Sequence, residues 1–428
     1  MKKSILLLIA IFASFLSYCQ VDLGISGEEN WFENWTNFNP RKQEYKKTNK
    51  SIIGLITKDT TLSSKYTYLL KGVVYVTNNA TLTIEPGTII RGDYKSCGTL
   101  VVTKGAKIIA EGTDVNPIVF TSNLDNYSRK PGDWGGIIIM GDAPVNTHGG
   151  IGVLDFDLLQ KYTVYGGDNP ESSSGVLKYV RIEFCGRKLS LKKELNGISF
   201  AGVGNKTIIE NIQVSYSNDD SFEFYGGNVK LNNLISYRTT DDDFDFTQGV
   251  QSIITNSIAV RNPYSSDNQS SRSFEIDTYD KMENFDSTRS STNVRATNIT
   301  LVNTEDNNQG LVKEAINLNK ESYLTIENSI VYGFRDFLIV NEALNSEEFE
   351  EFVKLKNIRI SHCKNDFGIK NNEKIVDLGI KYDYLKHKIK ITDDIIDSFF
   401  INPNLKNSPD FRHISIEKSA NTILYNKN

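Results

Sequence analysis

Short runs in which apolar and polar residues alternate recur along most of the chain, and each run ends at Gly, Asn, Asp or Pro. Clear examples lie at 72–76, 80–90, 98–102, 106–113 and 117–121. Alternation with a period of two, closed by turn residues, predicts short β-strands. Helical periodicity is scarce, and 345–355 is one of few short helical candidates. The pattern therefore predicts an all-β fold.

One segment is repeated almost unchanged after 22 residues. Residues 217–224 read SNDDSFEF, and residues 239–246 read TTDDDFDF. A repeat of about 20–25 residues, rich in β-branched side chains, predicts a solenoid in which each repeat forms one coil. Equivalent residues of successive coils then become neighbours at the strand spacing of about 4.8 Å.

Asparagines mark the start of several Ile- and Val-rich runs at related intervals. They stand at positions 211, 233, 256, 298, 328 and 357, separated by 22, 23, 42, 30 and 29 residues. Asparagine tolerates the left-handed conformation that the corners of coils require. We expect these residues to form an architectural ladder, and the longer intervals to contain loops.

The domain organisation follows from composition. Lys2, Lys3 and the apolar run at 5–16 are typical of a secretory signal peptide and too short to span a membrane. We expect a signal peptide at 1–19, an N-terminal linker or cap at 20–59, the solenoid at 60–368, and irregular final coils or a C-terminal cap at 369–428. Cleavage before Gln20 is expected. Lipidation of Cys19 is the alternative, which Tyr18 disfavours because a small residue should precede the acylated cysteine.

Charge and cysteine content exclude several classes of function. Loss of the signal peptide moves the formal charge from −5 to −7, and no basic stripe in the sequence indicates a nucleic-acid partner. Cys97, Cys185 and Cys363 are odd in number and lack a metal-binding spacing, so we expect buried free thiols.

Several motifs resemble a family of exported β-helix proteins common in Bacteroidetes and related to leptospiral outer-membrane lipoproteins. They are the TIEPGT motif at 83–88, GT and PIVFTS at 112–122, GDWGG at 132–136 with GDAPVN at 141–146, YGG at 165–167, and GVLKYVRIE at 175–183, followed by the two acidic motifs. The resemblance implies a right-handed parallel β-helix of the pectin-lyase type, with no settled activity. It also implies a secreted, outer-membrane or cell-surface location in a Gram-negative bacterium. Because the sequence has no other apolar run that could tether the protein, we expect no transmembrane span after signal removal.

The acidic motifs supply the main candidate site. In Phe-Glu-Phe, Phe-Asp-Phe and Phe-Glu-Ile, the central residues are Glu223, Asp245 and Glu275. The aromatic residues should face the core, because burial of unpaired carboxylates costs several kcal/mol, so the three acids should line one outer face. Stacked like charges raise each other's pKa, and Ca²⁺, which prefers oxygen ligands, would relieve the repulsion. The candidate Ca²⁺ ligands are the aspartates of the preceding turns: Asp219, Asp220, Asp241, Asp242 and Asp243. Solvated acidic turns without a ligand are the alternative.

A catalytic site is a second interpretation of the same residues. The stretch at 211–220 resembles the paired-aspartate strand of polygalacturonase-type hydrolases, but their Gly-His-Gly turn and Arg-x-Lys strand are absent. A lyase would use Ca²⁺ and an Arg or Lys base. The candidate catalytic residues are Asp219, Asp220, Asp242 and Arg238; Arg238 and Arg261 could instead neutralise the aspartates.

Three aromatic residues beside glycines are candidates for stacking on sugar rings: Trp134, Tyr165 and Tyr225. For Trp134, packing over the bend at Gly135 and Gly136 is the favoured interpretation, and stacking on a sugar is the alternative. The sequence as a whole favours a non-enzymatic envelope protein that binds a polysaccharide, another surface ligand or an outer-membrane receptor, with Glu223, Asp245 and Glu275 among the ligand-binding residues. The alternatives are a polysaccharide lyase or glycoside hydrolase acting on acidic polysaccharide, and a purely structural surface protein.

Overall fold

The computed structural model describes residues 22–191, 193–262, 264, 271–279, 281–304, 312–319, 321–340, 346–371, 374–377 and 383–414. The expected signal peptide and Cys19 lie outside these residues, as does the end of the expected C-terminal cap. Within the described part of the chain, no helix is long and apolar enough to cross a membrane.

The strands stack in parallel register into a right-handed parallel β-helix with three faces, as predicted. Face 1 consists of Thr99–Val102, Gly136–Met140, Ile198–Ala201, Phe222–Tyr225, Phe244–Thr247, Phe274–Ile276, Glu314–Leu318, Asp336–Val340 and Asn365–Asn371. Face 2 contains Thr60–Leu62, Thr81–Ile84, Lys107–Glu111, Gln251–Thr255 and Asn293–Thr297. Face 3 contains Ile89–Gly92, Ile118–Ser122, Ile258–Arg261, Thr300–Asn303 and Ile389–Thr392.

Longer strands bend at corners and belong to two faces. Lys50–Ile56 and Thr67–Val76 run from face 3 to face 1. Gly175–Glu183, Ile208–Ser215, Asn228–Tyr237, Tyr323–Tyr332 and Val353–Ser361 run from face 2 to face 3. The coils therefore start about ten residues before the expected boundary at 60 and continue past 368 to Thr392, which pairs with Ser361.

The coils also carry several short secondary-structure elements. Antiparallel pairs join Gly152–Val153 to Val164–Tyr165, Lys188–Ser190 to Lys193–Glu194, Asn365–Asn371 to Lys374–Asp377, and Phe400–Asn402 to Asp410–His413. Short helices lie at Ser346–Phe352, Tyr384–His387 and Ile396–Phe399, and 3₁₀ turns at Pro40–Lys42, His148–Gly150, Gln160–Tyr162 and Met282–Asn284. The helix at Ser346–Phe352 confirms the central part of the helical candidate at 345–355, whose last three residues begin the strand Val353–Ser361.

The asparagine ladder is confirmed. All six asparagines have φ between 48° and 58°, the left-handed region expected at a corner. Asn256 Nδ2 donates to Asn233 Oδ1 at 2.7 Å, and Asn357 Nδ2 donates to Asn328 Oδ1 at 2.8 Å. The ladder therefore fixes the turn between faces 2 and 3 from coil to coil.

Stacked phenylalanines fill the core behind the acidic motifs. The rings of Phe222 and Phe244 stack with centroids 5.1 Å apart, and those of Phe224 and Phe246 stack at 5.0 Å. All four side chains are fully buried. This packing holds the intervening residue of each strand on the outer side of face 1.

Residues 22–49, which we call the strap, run along face 3 against the direction in which the coils grow. Gly24 N donates to Asn328 O (2.8 Å), Tyr45 Oη donates to Glu183 Oε1 (2.9 Å), and Asn49 N donates to Thr67 O (2.9 Å). Trp35, Phe32 and Phe38 pack on outward-facing apolar residues of face 3 and on the C-terminal phenylalanines. This segment is thus a lengthwise cover of one face rather than a linker or a cap over the first coil.

Cys97, Cys185 and Cys363 are free thiols. Cys185 is fully buried, whereas Cys97 and Cys363 are only partly buried. Burial raises the pKa of the Cys185 thiol to about 12.

Candidate functional site

The register of face 1 brings the three acidic motifs together. Glu223 lies beside Asp245, and Asp245 lies beside Glu275, with Asn317 next in the column. The predicted juxtaposition of these carboxylates is confirmed. With the aspartates of the adjoining turns they form a surface that we call the acidic wall: Asp219, Asp220, Glu223, Asp241, Asp242, Asp245 and Glu275.

The turn aspartates are fixed by bonds from one coil to the next. Asp220 Oδ1 accepts a hydrogen bond from Asp242 N at 2.9 Å, and Asp242 Oδ1 accepts one from Arg272 N at 2.5 Å. Asp220 and Asp242 are only 7% and 3% exposed. One oxygen of each carboxylate therefore satisfies a backbone amide, which holds the second oxygen in a defined position.

Two groups of three carboxylates are close enough to share an ion. Oxygens of Asp219, Asp220 and Asp241 lie within 4.8 Å of one another, and so do oxygens of Asp220, Glu223 and Asp245. Because Ca²⁺–O bonds are about 2.3–2.6 Å long, oxygens that share one ion lie at most about 5 Å apart. Each group thus meets the geometric requirement for a common cation.

One oxygen of the wall has no protein donor. Asp245 Oδ1 is buried and accepts no hydrogen bond from the described residues. A buried carboxylate oxygen without a donor costs free energy unless it is protonated or bound to a cation. This atom belongs to the residue that joins Asp220 and Glu223 in the second group.

Burial and mutual repulsion shift the acidity of the wall. Burial, followed by the charges of neighbouring carboxylates, raises the pKa values of Asp219, Asp220 and Asp245 well above the usual range. The pKa of Asp242 is also well above its usual range, mainly through burial and the charge of Glu275, although Arg272 opposes the shift. A cation at the wall would relieve the same repulsion that raises these pKa values.

Arg272 is a charged residue of the site that the sequence analysis missed. Its side chain is 8% exposed and bonds Glu275 Oε2 through Nη1 and Glu314 Oε1 through Nε, the latter at 2.9 Å. Its Nη1 also lies 3.7 Å from Asp242 Oδ2. Although burial raises the pKa of Glu275, the Arg272 guanidinium outweighs that effect and holds it below its usual range. Its place in the repeat could have indicated this role. Arg272 lies two residues before Phe274, and the equivalent positions of the two earlier coils are Asp220 and Asp242.

Asp243 is not part of the wall, contrary to its assignment as a candidate Ca²⁺ ligand. Its carboxylate is fully buried inside the coils and pairs with Arg261, with Nη1 to Oδ2 at 2.9 Å. Ser236 and Ser273 also donate to it. Arg261 donates further to the carbonyl oxygens of Asp241 (2.8 Å) and Arg272 (2.6 Å), so it supports both acidic turns from within.

Arg238 does not occupy the position expected of a catalytic base beside the wall. It lies at a corner of face 3 with φ of 54°, and its Cζ is 5.5 Å from the ring centroid of Tyr237. Within the described residues, Asp242 forms its ion pair with Arg272 and not with Arg238. The structure therefore does not support Arg238, a candidate catalytic residue or counter-charge of the aspartates, as the partner of Asp242.

The aromatic candidates divide into buried and half-buried residues. Trp134 is fully buried, stacks on Phe120 and donates from Nε1 to Glu183 O at 2.7 Å. Tyr165 is 1% exposed and donates to Gln248 Oε1 at 2.6 Å. Neither ring is available to stack on a sugar, so the ligand-binding assignments of Trp134 and Tyr165 are corrected, and the expected packing of Trp134 is confirmed.

Tyr225 keeps its place at the candidate site. Its side chain is half-buried, and its hydroxyl donates to Glu223 Oε2. Asn196 Nδ2 donates to the same oxygen. Glu223 is thus held from two directions at the edge of the acidic wall.

The comparison with known protein families agrees with this architecture. The pectate-lyase like beta helix domain family matches residues 54–393. Among curated proteins, no sequence matches the chain. Among solved structures, the chain is similar to the A-module of the mannuronan C-5 epimerase AlgE6 of Azotobacter vinelandii, at 8% identity and a TM-score of 0.25, over 81% of this chain and 90% of that module. The matched range spans the coils from the first bend to the last strand of face 3, and the chain belongs to the pectate-lyase-like β-helix family.

Proposed function

We propose that this chain is an exported, non-enzymatic cell-envelope protein that binds Ca²⁺ at the acidic wall and, through the ion, an acidic glycan. The observation that carries the proposal is the buried, donor-less Oδ1 of Asp245 within a group of three carboxylates. The relationship to exported β-helix proteins of Bacteroidetes and to leptospiral outer-membrane lipoproteins belongs to the same proposal, on the motifs given above.

The chemistry of the donors supports Ca²⁺ over a transition metal. The two groups of three offer carboxylate oxygens alone, without imidazole or thiolate. Hard oxygen ligands in loose geometry suit Ca²⁺. The neighbouring cation Arg272 already pairs with Glu275 and Glu314, and among the described residues no ion pair reaches Asp219, Asp220 or Asp245, so a bound cation would supply the missing positive charge.

A bound ion would also allow the acidic wall to bind an acidic glycan. Asp219 and Asp241 of the first group and Asp245 of the second are half-buried rather than enclosed, so an ion in either group would keep coordination positions open towards solvent. Ca²⁺ commonly completes its six to eight ligands with oxygens from outside the protein. A uronate carboxylate would bind at such positions, and the half-buried ring of Tyr225 lies beside them.

Thermal unfolding of the mature chain, with and without Ca²⁺ after EDTA treatment, tests the ion site. Saturating Ca²⁺ should raise the melting temperature, because a ligand that binds only the native state stabilises it, by about 2.7 kcal/mol at a hundred times Kd. Asp245→Asn should remove most of the shift. Glu111→Gln, which removes one exposed carboxylate from face 2, is the matched control and should keep it.

Two further arms separate the alternatives. Ca²⁺-dependent retention of polygalacturonate without new unsaturated or reducing ends supports a binding protein, whereas release of such ends would establish a lyase or hydrolase. The ion site is refuted if Ca²⁺ leaves the melting temperature unchanged, or if Asp245→Asn responds as strongly as the unaltered chain.

A further inference from the structure

Three cations of face 2 fall into one outward-facing column. The register runs from Lys230 through Ile253 to Arg295, and then through Thr325 to Lys354. Successive cations are two coils apart, which corresponds to about 10 Å at the strand spacing. They are 65 and 59 residues apart in the sequence, so only the register of the coils brings them together.

These cations are exposed and not neutralised by the described carboxylates. Lys230, Arg295 and Lys354 form no ion pair with a described residue. The adjacent outward column differs, because Lys178 pairs with Glu210 at 3.3 Å and Lys356 with Glu327 at 3.8 Å. The column of Lys230, Arg295 and Lys354, which we call the basic column, therefore presents net positive charge on a chain that is negative overall.

A groove of about 220 Å³ runs beside two of these cations, Lys230 and Arg295. Its other side is a parallel column of amides in which Asn228, Gln251 and Asn293 are register neighbours. The side-chain amides of Asn228 and Asn293 form no hydrogen bond with a described residue, so their donors and acceptors are available. Tyr323 continues the same column past Asn293.

We propose that this groove binds one chain of an anionic polysaccharide, with uronate or sulfate groups, lying along the axis of the solenoid. Cations about 10 Å apart can pair with the acidic groups of every second sugar ring of a chain that lies in the groove. The amides would bind sugar hydroxyls, and the partly exposed side chain of Ile253 would contact the apolar face of a ring between Lys230 and Arg295.

The spacing favours a polysaccharide over other polyanions. Duplex DNA has one charge per about 1.7 Å of its axis, and a single row of widely spaced cations would neutralise few of them. The basic column lies on face 2, away from the acidic wall of face 1, and needs no metal ion. This site therefore goes beyond the proposed function and stands without it.

The test is binding of fluorescently labelled polygalacturonate oligomers and of heparin to the mature chain in EDTA, over a range of NaCl concentrations. Lys230→Gln with Arg295→Gln should weaken binding at least tenfold and make its salt dependence shallower. Lys58→Gln with Lys65→Gln removes two exposed cations at the first coils and should change affinity less than twofold. Because all four side chains are exposed, both double variants should keep the melting temperature of the unaltered chain.

Several results would overturn the proposal. One is no binding of either polyanion in EDTA, and another is equal loss of affinity in the two double variants. Binding of duplex DNA as tight as that of the polysaccharides, with the same dependence on Lys230 and Arg295, would indicate a non-selective polyanion surface. Salt-sensitive dimers in sedimentation that disappear in Lys230→Gln with Arg295→Gln would show that a second copy covers the groove. Loss of the Ca²⁺ response, by contrast, would bear only on the acidic wall.

Discussion

Asp243→Asn should destabilise the coils without affecting the Ca²⁺ response. The change leaves Arg261 buried without its counter-charge, and breaking a buried ion pair by removing one partner costs about 3–5 kcal/mol. Arg261 keeps two carbonyl acceptors, on Asp241 and Arg272, so we expect the lower end of that range. Because Asp243 faces the interior, Ca²⁺ should still raise the melting temperature of the variant.

A double-mutant cycle isolates the pair. Arg261→Met should lower the free energy of unfolding by about 4–5 kcal/mol, because it leaves the Asp243 carboxylate buried without a counter-charge and also removes the donor to two carbonyls. The double variant should cost about 2 kcal/mol less than the two single changes together, since residues in one network are not additive. Urea unfolding followed by far-ultraviolet circular dichroism measures the cycle at the transition of the central coils. Additive costs, or loss of the Ca²⁺ response in Asp243→Asn, would refute this reading of the pair.

Three further predictions concern other parts of the chain. Trp35→Ala should lower the free energy of unfolding by about 3–5 kcal/mol because it leaves a cavity under the strap, and it should make the strap accessible to limited trypsin digestion. Unchanged digestion would contradict the packing of the strap on face 3. In EDTA, the free energy of unfolding should fall as the pH rises above about 4. The reason is that the folded protein retains protons on Asp220 and Asp245, whose pKa values are raised, whereas the unfolded chain releases them. A free energy of unfolding that rises towards pH 8, or that has the same pH dependence in saturating Ca²⁺, would count against the acidic wall. Cys185, with its buried thiol, should stay unreactive towards a thiol reagent at pH 8 until the coils unfold, and rapid labelling of the native protein would contradict its burial.

Much of the fold could be predicted because it depends on local periodicity. The 22-residue repeat predicted the pairing of Glu223 with Asp245, and corner chemistry predicted the left-handed asparagines. Both signals are contained within one or two coils. The contacts of a parallel β-helix are therefore unusually easy to predict from sequence, since each coil contacts mainly its neighbours.

The strap could not be located from its own sequence. Trp35 and its aromatic neighbours indicate a segment that packs somewhere, but not where. The complementary signal lay in face 3, where strands such as Asn228–Tyr237 end in a continuous run of buried residues instead of alternating. Such a run indicates a strand covered on both sides, here by the coil interior and by the strap.

The errors at the candidate site have a common physical cause. Trp134, Tyr165 and Asp243 were assigned outward from residue type alone, and the direction of a side chain in a turn or loop does not follow the alternation of a strand. Trp134 fills the space beside Gly92, where even a Cβ atom would lie 2.5 Å from the indole. Arg272 and the basic column were missed because long loops separate their coils in the sequence and hide the register.

The most direct test of the central claim is a crystal structure of the mature chain soaked in a Ca²⁺ analogue with strong anomalous scattering, such as Tb³⁺. We predict an anomalous peak between Asp220, Glu223 and Asp245, and its loss in Asp245→Asn. Carboxylates that bond only to protein and solvent at full Tb³⁺ concentration, with no peak at the wall, would contradict it.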